Sequence, residues 1–179
     1  MQQHVTIWHL EMTESGELNP TSCDRDDVKV LRAKIPCPEL NRFFYGAVGS
    51  EWYWMDRLGW NYDRWQAWLD RPEVETWVLY VAGTPAGYFE LERQDAGDIE
   101  LAYLGLLPRF TGQGLGPYLL TVAVERAWAM GAQRVWAHTC SIDHPGALAM
   151  YQKHGFDLFK VEEQLVEVPD DPLKPWPNA

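Results

Sequence analysis

The chain has 179 residues, 46% hydrophobic and 23% charged, an ordinary balance for one globular domain with a sizeable core. Its net charge of −11 argues against a nucleic-acid partner, because phosphate contacts need a basic surface, and favours a cationic one. No stretch approaches the ~20 apolar residues of a membrane span. The first residues lack a signal-peptide pattern, and Cys23, Cys37 and Cys140 lack metal-ligand spacing, so they read as reduced thiols of a cytoplasmic protein.

In chain order, Val5–Met12 alternates as a strand with Val5, Ile7 and His9 on one face. Residues 14–27 are a polar, acidic loop. Val28–Ile35 fits a short helix or a strand, punctuated by Pro36 and Pro38. Glu39–Val48 reads as a helix closed by Gly49. Residues 51–60, EWYWMDRLGW, form an aromatic cluster, and Asn61 is a good N-cap for a helix running to about Asp70. Val74–Ala82 and Ala86–Glu92 read as strands about a Gly83-Thr84-Pro85 turn. Ile99–Leu107 follows as a third strand, so an antiparallel meander is expected. Gly116–Met130 carries Leu119, Leu120, Ala123, Val124 and Ala127 at helical spacing and stops at Gly131. Arg134–Thr139 is the next strand, and this strand–helix–strand order implies a parallel pair with a right-handed crossover. Pro145–His154 reads as a second helix and Phe156–Val168 as one or two final strands. The expected fold class is therefore α/β in the α+β sense. Its mixed sheet is antiparallel early and parallel in the middle, with helices on its faces. One domain is expected over residues 1–168, and residues 169–179, with four prolines, are expected to be a loose tail.

The stretch LLPRFTGQGLGPYLL, residues 106–120, organises the rest. An apolar run ends at Pro108, glycines alternate at 112, 114 and 116, and a helix begins. A glycine-rich turn opening a helix aims several N–H groups at one spot with the positive end of the helix dipole behind them, which suits phosphate or pyrophosphate. The spacing is G-x-G-x-G rather than G-x-G-x-x-G, and no Gly-Lys-Ser/Thr follows, so neither a dinucleotide fingerprint nor a P-loop is present.

The run L-x-P-x-F-x-G-x-G-x-G followed by an apolar helix resembles the acyl-CoA-binding motif of the GNAT superfamily of N-acetyltransferases. A second block, ALAMYQKHGF at residues 147–156, resembles that family's late A-x-x-x-Y-x-x-x-G-F motif. The resemblance covers roughly residues 74–159. It implies a mainly antiparallel sheet whose parallel pair splays at the acetyl-CoA site. It implies that Thr111, Gly112, Gln113, Gly114, Leu115 and Gly116 cradle the pyrophosphate, although the family commonly has Arg or Gln where this chain has Thr111. Arg109 could restore some of that charge. Leu104, Leu106 and Leu107 would bind pantetheine through their backbones, with the Leu106 N–H on the thioester oxygen.

The same resemblance makes Tyr151 the acid for the departing thiolate and matches Glu100 to a base position, with Glu90 and Glu92 as rivals. His144 stands where many members contact pantetheine through Asn. Tyr45, Trp52, Trp54 and Asp56 fall in the region that shapes the acceptor pocket. The acidic chain and its Trp-rich segment suit a cage for a cationic amine. Acetyl-CoA is the implied cosubstrate, with no metal, nucleic acid or membrane partner, and a homodimer is left open. A non-catalytic acyl-CoA-binding sensor is the alternative to an acetyltransferase.

Overall fold

The computed structural model describes residues 1–169. Apart from Pro169, the expected loose tail lies outside them. Seven strands form one sheet: β1 (Gln2–Met12), β2 (Val28–Ala33), β3 (Val74–Val81), β4 (Thr84–Arg93), β5 (Asp98–Leu106), β6 (Arg134–Cys140) and β7 (Asp157–Glu167). Their order across the sheet is β2-β3-β4-β5-β6-β1-β7. The β2–β5 half is an antiparallel meander, as the short turns require. Ala82 and Gly83 join β3 to β4 with φ of 48° and 79°, the two positive values of a tight hairpin turn. The segment after Asp27, open between helix and strand, is a strand, and Phe156–Val168 yields one strand rather than two.

β1 has its core face on the even-numbered residues, opposite the face that Val5, Ile7 and His9 share. It lies inside the sheet, antiparallel to β6 on one edge and to β7 on the other. Leu10 and Met12 point into the main core with Trp8 packed against it, whereas His9 faces the opposite side beside Trp136 and His138. Rings cover both faces of this interior strand, so alternation in its sequence does not mark which face is core.

Helix α3 (Leu115–Ala129) packs on the sheet face bearing Ile99 and Leu101, and α4 (Ala147–Lys153) packs on β6, sending Tyr151 into the same core. Helix α1 (Pro38–Gly49) covers the other face, where Phe44 and Val48 meet Val78 and Tyr88. Helix α2 (Tyr62–Leu69) covers the same face: Asn61 Oδ1 caps it by accepting from the Arg64 N–H at 2.9 Å, and its Trp68 indole reaches Glu90. Glu75 on β3 ties the last turn of α3 to the sheet, accepting two hydrogen bonds from the Arg126 guanidinium.

Candidate active site

β5 and β6 are the parallel pair, and they stay paired for only three residues, Asp98, Ile99 and Glu100 opposite Arg134, Val135 and Trp136. Beyond that point they part. On the other edge of β5 the register with β4 slips, so that Glu90 and Leu91 face Tyr103 and Leu101 while Ala102 is left over as a bulge. A bulge bends its strand, and this one sits where β5 leaves β6. The Leu107 N–H donates to the Ala86 carbonyl at 2.8 Å, and the Leu107 carbonyl accepts from Phe110 at 2.8 Å. Alternation along an antiparallel strand then turns the N–H and C=O of Leu104 and Leu106 away from β4, toward the opening. Both polar atoms of Leu107 are used internally.

The opening is a cleft of about 120 Å³. Leu101, Ala102, Tyr103 and Leu104 form one wall, and His138, Thr139 and Cys140 of β6 form the other. Asp143 and Tyr151 lie behind, and Trp52, Tyr53, Trp54 and Asp56 arrive from the loop after α1. α3 begins with the glycine turn. Gly112 and Gly114 both have φ of 74°, a conformation that side-chain-bearing residues rarely adopt, and no side chain caps the helix. Gly116 sits between Leu106 and Met150, so the turn, the end of β5 and α4 meet there.

Thr111 spends its hydroxyl on the Pro108 carbonyl, and the Gln113 amide donates to the Arg109 carbonyl. A cation also reaches the turn's side chains from elsewhere in the chain. Arg25, in the loop before β2, places Nη1 3.3 Å from Gln113 Oε1 while holding Asp27 with its other nitrogens. Its 88-residue separation from Gln113 left no signal in the sequence.

Tyr151 is 7% exposed, and burial, with Asp143 adding to it, pushes its hydroxyl far above the ordinary phenol range. It therefore stays a proton donor at neutral pH. Asp143 accepts from Thr139 Oγ1 and from the His144 backbone N–H rather than from its ring. The His144 ring accepts from the Gly146 N–H and meets Trp52, a cleft residue, edge-on at 5.0 Å. Ser141 Oγ accepts from the Thr6 N–H. No Cys–His or Ser–His couple forms among these residues.

The carboxylates separate into two kinds. Glu90 is 1% exposed and buried with Arg57, Trp68 and Asn41, and Glu92 is paired with Arg71. Glu100, opposite Glu92 on the same sheet face, turns toward β6, accepting from Gln94 and standing 3.6 Å from His138 Nδ1. The expected cation cage exists, but the protein fills it. The Arg57 guanidinium lies 4.5 Å from the ring centres of Trp68 and Tyr103 and 4.8 Å from that of Trp60. Arg57, next to Asp56 in the chain, is 6% exposed. Tyr45 is likewise core, its hydroxyl accepting from the Arg57 N–H, whereas Trp52, Trp54 and Asp56 do line the cleft.

A profile of the acetyltransferase (GNAT) family matches residues 38–156. The chain belongs to this family. The mycothiol acetyltransferase of Streptosporangium roseum is 37% identical over 79 residues, 44% of this chain and 22% of that protein. In fold the chain is similar to a GCN5-related N-acetyltransferase from Kribbella flavida, with a TM-score of 0.63 and 20% identity over 88% of this chain and 56% of that one. It is also similar to a GNAT acetyltransferase from Elizabethkingia anophelis with acetyl-CoA bound, with a TM-score of 0.57 and 19% identity over 76% and 80% of the two chains. The chain thus spans under a quarter of the mycothiol enzyme and little more than half of the Kribbella protein. Among the described residues no His, Cys, Asp or Glu cluster is arranged to hold a metal, and no helix is long and apolar enough to cross a membrane.

Proposed function

We propose that this GNAT protein moves an acetyl group from acetyl-CoA to a primary amine by direct attack. The observation that carries the reading is the parting of β5 from β6 beyond Glu100 and Trp136, which opens a cleft lined by Tyr151 at the end of the strand whose Leu106 lies beside Gly116 of the turn. In this reading the pantetheine arm lies along β5 as an added strand, bonded to Leu104 and Leu106, and the Leu106 N–H meets the thioester oxygen. The pyrophosphate rests on the backbone of residues 111–116, where the amides of Gln113, Leu115 and Gly116 carry the binding. His144 borders the arm. Tyr151 gives its proton to the departing thiolate, and the Glu100 side of the cleft removes the proton that a primary ammonium, with a pKa of about 10.4 in a lysine, still holds at neutral pH.

The acceptor wall supports a small cationic amine. Asp56 and Asp143 stand in it beside Trp52, Trp54 and Tyr103, so it offers negative charge and ring faces together. The three cysteines are free, which suits a reducing compartment such as the cytoplasm.

The test is amine-dependent release of CoA thiol across a panel of monoamines, polyamines, aminoglycosides and amino-acid amides. One class should turn over, and Tyr151→Phe should lower kcat by roughly 10²-fold or more while acetyl-CoA binding persists. Absence of amine-dependent release across the panel would leave an acyl-CoA-binding module without catalysis.

A further inference from the structure

We propose that His138, not a carboxylate, takes the proton from the attacking amine, and that Glu100 is a positioning residue acting through it. The proposal rests on the acetyl-transfer reading of the cleft and names the group that reading leaves open.

The two residues sit on either side of the point where the strands part. Glu100 is opposite Trp136 at the last paired position, and His138 lies two residues further along β6, on the same sheet face as Trp136. The side chain of Glu100 is 14% exposed and already engaged. Its Oε2 accepts from Gln94 Nε2 at 2.8 Å, and Gln94 in turn accepts from the Trp136 indole at 2.9 Å. Its Oε1 faces His138 Nδ1 at 3.6 Å, an ion-pair distance. His138 is the more accessible partner: its side chain is 45% exposed and lines the cleft with Asp56 and Tyr151.

In this proposal the proton sits on Nδ1, facing a carboxylate that only accepts, and Nε2 keeps the lone pair. Glu100 raises the imidazole above its ordinary value; burial works against this, and Asp56 and Asp143 add to the rise. Cys140 lines the same cleft two residues along β6, and His9 of β1 is a further titratable neighbour, with ring centres 5.9 Å apart. Glu90 and Glu92, the other carboxylates considered, are held by Arg57 and Arg71.

The step balances without another reagent. The ammonium gives one proton to His138 Nε2. The nitrogen lone pair then forms the C–N bond to the thioester carbon, the C–S pair leaves on sulfur, and sulfur takes the Tyr151 proton. The second proton shed by the new amide nitrogen restores Tyr151, and the proton on His138 passes to solvent through its exposed edge. An imidazole is a base only when neutral, so kcat falls as pH drops through the raised His138 value.

Two measurements test this. The first is the pH profile of kcat for wild type, His138→Asn and Glu100→Gln with the best amine of the panel. His138→Asn should lose roughly 10²-fold in kcat at neutral pH together with the acid limb. Glu100→Gln should keep the limb but move it to lower pH, since the carboxylate that raises the imidazole has gone. Both variants should keep the thermal shift given by acetyl-CoA. The second is the NMR titration of the His138 ring in wild type and Glu100→Gln, which needs no turnover and should show an upshifted imidazole relaxing toward about 6.5 in the variant. The proposal is overturned if His138→Asn turns over like wild type, if Glu100→Gln alone abolishes the acid limb, or if the two titrations coincide. If wild type itself releases no CoA with any amine, the acetyl-transfer reading fails first and this proposal with it.

Discussion

Arg57 Nη1 lies 2.9 Å from Glu90 Oε1 beneath α1 and α2, with the guanidinium ringed by Trp60, Trp65, Trp68 and Tyr103. The pair fastens the loop after α1 to β4, and that loop carries Trp52, Trp54 and Asp56 to the cleft. The pair therefore holds that wall of the cleft in place.

A buried pair is strongly destabilised when one partner is removed, because the other charge stays buried and uncompensated. Glu90→Gln should lower unfolding stability by about 3–5 kcal/mol, whereas the double change Arg57→Met with Glu90→Leu should lie much nearer wild type. Urea denaturation of the three proteins measures both. Equal losses in the single and double variants would mean that the pair is not coupled.

Glu75 sets an acid-side limit on stability. Burial pushes its carboxyl up, but hydrogen bonds from Arg126 and Trp77 and the charge of Arg32 outweigh this and hold it below its ordinary value of 4.5. A folded-state value below the unfolded one stabilises the fold above the unfolded value, and the contribution is lost as pH falls through the folded value. Wild type should therefore lose stability more steeply than Glu75→Gln as pH drops below about 4.5. Above that pH, Glu75→Gln should be the less stable protein. Denaturant midpoints across pH 3–7 test this, and parallel curves would contradict it.

Two glycines separate ligand geometry from packing. A Cβ at Gly114 would meet no atom within 4 Å, so Gly114→Ala carries only the left-handed backbone penalty, roughly 1–2 kcal/mol. A Cβ at Gly155 would run into the Glu17 carbonyl, where the segment before β2 docks beside α4. Gly155→Ala should be the more destabilised in thermal unfolding. Gly114→Ala should be the one that loses acetyl-CoA affinity, because its strain falls on the amides of the turn. The reverse pattern would displace the ligand from this turn.

What the sequence made legible is local. The glycine turn, Pro117 in the first turn of α3, the Asn61 cap and the meander of β3, β4 and β5 each depend on residues within a few positions of one another. The Tyr151 block was readable for the same reason. The rest depends on where the sheet brings distant residues. Arg25 reaches Gln113 only because β2 is an edge strand of the same sheet, and His138 meets Glu100 only at the point where the parallel pair parts. The Trp-rich segment was visible as a cation site, but its occupant, Arg57, lies in that segment and reads in isolation as an exposed charge. Burial opposite Glu90, 33 residues away, decides otherwise.

The central claim is that the turn at residues 111–116 and the cleft beside it hold acetyl-CoA. Thermal unfolding with and without acetyl-CoA, with NADH and ATP as controls, tests it most directly. At a hundred times its dissociation constant, acetyl-CoA should add about 2.7 kcal/mol, raising Tm by roughly 5–10 °C for a chain of this size, with no comparable rise from either control. No shift at saturating acetyl-CoA, or an equal shift with ATP, would contradict the account and remove the ground for the roles given to Tyr151, Glu100 and His138.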